Sequence, residues 1–83
     1  SQEQDLEPQI VTVAIHDSLP AYLIGDQVIR NRDQFASIIT QLPREPGIII
    51  RVEDDVPIGF AVSAIQESRN VGFERVTYVP ASD

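Results

Sequence analysis

Cysteine, methionine, tryptophan and lysine are all missing from this chain of 83 residues. Without cysteine there is no disulfide, no thiol nucleophile and no thiolate ligand for zinc. The same absence leaves the compartment open, because a cysteine-free domain suits either redox environment. Histidine occurs once, at His16, so one chain cannot assemble a structural zinc site. Without lysine no Walker-type phosphate loop can be written. Basic residues number 6, all of them arginine, against 13 acidic ones, for a net charge of −7. Nucleic-acid binding needs a basic stripe that this balance does not supply. An acidic surface also repels anionic lipid. Long apolar runs are missing too. The longest aliphatic block, Ile48-Ile49-Ile50, is far short of the roughly 20 residues of a membrane helix. The opening residues lack signal-peptide character, and a start at Ser1 rather than Met reads as a partial or processed chain.

Catalytic constellations are equally scarce. His16, Asp17 and Ser18 are adjacent, but neighbouring strand residues point to opposite faces, so His16 reads as a surface residue at a strand end. The cluster Glu53-Asp54-Asp55 lacks the spaced oxygens, central glycine and twelfth-position glutamate of an EF-hand loop. It reads as helix-capping and solubility residues instead. No enzyme, metal site or cofactor is expected.

What is present fits one small domain. Hydrophobic residues make up 42% and charged residues 23%, which are globular proportions. Residues 1–9 are polar and acidic and read as a linker or tail. Residues 10–80 form the domain, and residues 81–83 a short tail. Ile10 to His16 is rich in β-branched residues and reads as a strand, with Val11, Val13 and Ile15 on one face and Ile10, Thr12, Ala14 and His16 on the other. Asp17 to Pro20 reads as a turn, Ala21 to Ile24 as a second strand, Gly25-Asp26 as another turn, and Gln27 to Ile29 as a third strand. Loops this tight imply antiparallel neighbours.

Phe35, Ile38, Ile39 and Leu42 are spaced as on a helix from Asn31 to Leu42, with Asn31 as N-cap and Gln34 in the capping-box position, or with Asp33 as an alternative cap. Pro43 and Pro46 stop it. Gly47 to Val52 reads as a central strand buried on both faces. A second helix is expected from about Pro57 to Asn70. Its main apolar stripe is Ile58, Ala61, Val62 and Ile65, with Phe60 and Ala64 on a flank. Gly72 suits the position after its C-cap. Phe73 to Val79 reads as the last strand, ended by Pro80. The order is βββαβαβ, an α+β fold with two helices on one face of a five-stranded mixed sheet. Arg51 interrupts an apolar strand and reads as paired with a nearby acid or reaching water at a sheet edge. An exposed Tyr78 in a terminal strand is a candidate partner contact.

The segment from Ile48 to Val79 resembles the C-terminal half of ExbD/TolR proteins. The matching positions are Arg51, Val52, Glu53, Val56, Gly72, Phe73, Val76 and Val79. Tyr22 to Ile29 resembles the family's strand, glycine turn and strand, and the helix of Phe35 to Leu42 comes in the expected place. The likeness spans about Ile10 to Pro80. It rests on order and spacing rather than on one motif. Two features depart from the family pattern: Pro57 stands where a polar capping residue is common, and lysine is absent.

The resemblance implies the periplasmic domain of a single-pass inner-membrane protein. Such proteins act with ExbB or TolQ to couple the proton motive force to TonB or TolA, for outer-membrane transport or envelope maintenance. It also implies a homodimer and, on the TolR side, contact with peptidoglycan. The family's membrane helix and its proton-carrying Asp have no counterpart in these residues. The two branches, ExbD-like and TolR-like, both stay open. Val76, Thr77, Tyr78 and Val79 are the expected partner-binding or dimer edge, since a first or last strand lies at a sheet edge and can accept a strand from another chain. The alternative is a small ligand-sensing regulatory domain, with the Glu53-Asp54-Asp55 loop of its βαβ unit as the motivating feature.

Overall fold

The computed structural model describes residues 7–80. The expected tail at 81–83 and most of the expected linker lie outside them, while Gln9 already belongs to the first strand. The strands are β1 (Gln9–His16), β2 (Leu19–Ile24), β3 (Gln27–Ile29), β4 (Ile48–Val52) and β5 (Val76–Pro80). The helices are α1 (Arg32–Thr40) and α2 (Ile58–Asn70). The order is βββαβαβ, and the strands form one five-stranded mixed sheet, β3-β2-β1-β4-β5. The β1-β2 and β2-β3 pairs are antiparallel, as two-residue connections require. The β1-β4 and β4-β5 pairs are parallel, which a crossing helix makes possible.

The first turn is tighter than the sequence suggests. Leu19 and Pro20 belong to β2, opposite His16 and Ile15. Only Asp17 and Ser18 turn the chain, with φ of 53° and 70°. Two consecutive positive φ values match the strand twist, as in a type I′ turn. Pro20 is tolerated because β2 meets β3 only from Tyr22 onward.

Each helix ends where local chemistry directs. The Asn31 side chain accepts from the Gln34 N–H at 3.0 Å and starts α1. The C-terminus of α2 is closed by paired bonds, Gly72 N–H to the Arg69 carbonyl at 3.0 Å and Phe73 N–H to the Ser68 carbonyl at 3.1 Å. That pattern needs a residue at positive φ, and Gly72 supplies it at 109°. Phe73 is then a buried core residue rather than the start of β5. Arg44 joins the two helix ends. Its guanidinium donates to the Thr40, Leu42 and Val71 carbonyls at 2.9, 2.7 and 2.8 Å and lies 5.3 Å from the Phe73 ring centre.

Both helices pack on one face of the sheet. Val11, Val13, Tyr22, Ile29, Ile48 and Ile50 point toward them and form the core with Phe35, Ile39, Ala64 and Phe73. Tyr22 stacks on Phe35 with ring centres 4.3 Å apart and meets Phe60 at 4.9 Å.

Two expectations are corrected here. First, α2 buries Ala61, Ala64 and Ser68, while Ile58 and Val62 are exposed at 75% and 44%. The small residues let the helix lie close to the sheet, and Phe60 fills the space beside Tyr22. Size complementarity outweighs hydrophobic count in choosing the face. Second, β4 is covered on one face only. Ile48 and Ile50 are buried, Ile49 is half-buried and Arg51 is exposed.

Candidate functional site

The expected edge residues all fall in β5, and β5 is an outer strand of the sheet. The other strand expected at an edge, β1, is central instead, because β4 adds to its second side in parallel. Val76 lies opposite Ile48. The Ile48 N–H donates to the Arg75 carbonyl at 2.9 Å. In a parallel ladder this register turns the backbone groups of Arg75, Thr77 and Val79 toward β4. The N–H and C=O groups of Val76 and Tyr78 therefore face outward. Their side chains alternate as well. Val76 packs against the core, Tyr78 beside it is 49% exposed, and Thr77 and Val79 point to the helix-free face. The opposite edge, β3, has 3 residues and offers little to a partner.

Arg51 sits on the helix-free face, opposite Thr12 and Val79, one strand in from the edge. Among the described residues no carboxylate lies within 4.0 Å of it, so the expected ion pair is not formed there. The ion pair of Arg32 with Glu67, at 2.6 Å, ties α1 to α2, and Arg32 also donates to the Gln66 side chain at 3.0 Å. Sequence reading missed this link and the Arg44 clamp. Their partners are remote in sequence or are backbone carbonyls, neither of which leaves a local pattern.

The three residues of the His16-Asp17-Ser18 run lie at the tip of the β1-β2 hairpin, all exposed. His16 Nε2 is 3.6 Å from Asp17 Oδ2, too far for a hydrogen bond. The alternation argument does not separate them, because Asp17 is a turn residue at positive φ. Glu53, Asp54 and Asp55 are exposed in the loop before α2, whose first turn holds no acid. Pro57 is the N-cap of that helix and makes no side-chain cap bond. Among the described residues no three of His, Cys, Asp and Glu form a metal-binding group. No described helix is long and apolar enough to cross a membrane.

A cleft of about 280 Å³ opens where β4 and β5 begin, lined by Pro8, Pro46, Gly47, Ile48, Ile49, Arg75 and Thr77. Gly47 is required there. It has φ of 145°, and a Cβ on it would lie 2.7 Å from the Arg75 carbonyl oxygen. No family model matches the chain, and no curated protein matches it.

Proposed function

We propose that this chain is a non-enzymatic protein-interaction domain of ExbD/TolR type. In this reading it is the periplasmic part of an inner-membrane protein and pairs through the open edge of β5. The observation that carries the reading is that edge: the backbone groups of Val76 and Tyr78 face outward beside a half-exposed aromatic ring. An added strand gains main-chain hydrogen bonds from the edge and specificity from the alternating side chains. The element order and spacing of the family resemblance agree with this use. Partners of the TonB/TolA kind, or a second copy of the chain, supply the added strand. Rotation or separation of two subunits would expose or cover the edge, converting motion driven through ExbB/TolQ-like partners into a change of binding.

The test compares Tyr78→Pro with Tyr78→Ala, using sedimentation for self-association and a TonB/TolA-type periplasmic segment for partner binding. Proline removes one outward N–H and leaves the β4-β5 bonds in place. Tyr78→Ala should weaken pairing several-fold, and Tyr78→Pro should abolish it. Pairing by Tyr78→Pro as strong as that of the parent chain would overturn the reading. A thermal-shift screen with amino acids and nucleotides is expected to be flat. A saturable rise would put the ligand-sensing alternative first.

A further inference from the structure

The large apolar residues that α2 leaves uncovered fall on one flank. At about 100° per residue, Ile58, Val62 and Ile65 lie within roughly 60° of one another. Ile58 and Val62 are exposed at 75% and 44%, and Ile65 is half-buried. Phe60 and Glu67 lie on the opposite flank, where Phe60 meets Tyr22 of β2 and Glu67 pairs with Arg32 of α1. The flank of Ile58, Val62 and Ile65 therefore faces away from α1, toward the β5 side of the sheet. On the same side β5 presents Val76 and Tyr78, which lie opposite the core residues Ile48 and Ile50. An apolar helix flank thus stands beside an edge strand with outward backbone groups, and the two form a groove along β5.

We propose that this groove selects an extended segment of a partner protein with large apolar side chains at alternate positions. Those side chains pack between Tyr78 and the flank of Ile58, Val62 and Ile65. The inference rests on the edge reading of β5 and adds what kind of strand the edge accepts. Backbone chemistry selects an extended occupant. A helix laid in the groove would leave the N–H and C=O groups of Val76 and Tyr78 against side chains. A strand pairs with them and turns every second side chain toward α2. Spacing selects a single segment over a second copy. α2 touches β1, β2, β4 and β5, so its axis lies over the middle of the sheet. Two copies paired through β5 would hold their α2 axes three or more strand spacings apart, roughly 14 Å. Packed helices lie about 8–10 Å apart, so the second α2 would not cover Ile58 and Val62.

The test is an NMR titration of the whole chain with two peptides. One alternates leucine with threonine between terminal lysines, and the control carries threonine throughout between the same lysines. The leucine peptide should shift the amides of Val76, Tyr78, Ile58 and Val62 and bind about tenfold more tightly than the control. Ile58→Ser and Val62→Ser should melt like the parent chain and each reduce that preference roughly threefold. Tyr78→Pro should abolish binding of both peptides. Binding that is lost in Tyr78→Pro but shows no leucine preference, or a preference unchanged in both serine variants, would overturn the inference and leave the edge reading standing. Binding that survives Tyr78→Pro would overturn both. No binding of the leucine peptide at millimolar concentration would overturn the inference. So would concentration-dependent shifts of Ile58 and Val62 without peptide, which would assign the groove to a second copy.

Discussion

Gly47 sets how closely β4 and β5 begin. An added methyl would meet the Arg75 carbonyl oxygen at 2.7 Å and its Cβ at 2.8 Å, both held by the sheet rather than at the end of a flexible side chain. The φ of 145° adds strain for any residue with a Cβ. Gly47→Ala should therefore cost about 2–4 kcal/mol in urea unfolding. It should also disturb the Ile48 to Arg75 bond that begins the β4-β5 ladder. A loss under about 0.5 kcal/mol would mean that the start of β5 moves freely, and the cleft with it. Both glycine and arginine are plain in the sequence at 47 and 75. Their contact is not, because nothing local links residues so far apart.

At the scale of the element, α2 separates hydrophobicity from burial. Its isoleucine at 58 is exposed, and its alanine at 64 is fully buried. Ile58→Ser should change stability by no more than about 0.5 kcal/mol. Ala64→Leu should cost about 1–3 kcal/mol, since extra methylenes have nowhere to go between helix and sheet. Thermal melts of the two variants check both. The reverse ranking would return α2 to the stripe of Ile58, Ala61, Val62 and Ile65. The helical period itself was legible, as were the Asn31 cap and the Gly72 terminus, because those signals are local. The orientation of the helix was not. It depends on which face matches Tyr22 and the close approach of the sheet, and those partners come from distant segments.

For the whole molecule, charge and topology act together. The formal charge of −7 repels a second copy at long range, whereas the edge pairing proposed for β5 would be short-ranged and made of backbone bonds. Self-association should therefore strengthen as salt rises from about 20 to 200 mM, when the Debye length falls below about 10 Å. Sedimentation at several salt concentrations checks this. Weakening with salt would show that ion pairs, not strand pairing, hold the two copies together. The sheet order also decides which surfaces exist. With β1 at the centre, β5 is left as the longer open edge. With both helices on one side, no described helix covers the other side.

The sequence by itself determined the class of fold, the order βββαβαβ and most element positions. Those depend on hydrophobic period, caps and turn residues, which act over a few residues. It also marked β5 as a candidate edge. Tertiary structure alone decided that β1 lies inside the sheet, that α2 turns its small residues inward, and that Arg51 is exposed on the helix-free face. Only there do Gly47 and Arg75 frame a cleft. Each of these follows from contacts between segments far apart in the chain. Such contacts are selected by shape and by the pairing of backbone groups, and neither is written in any one stretch of sequence.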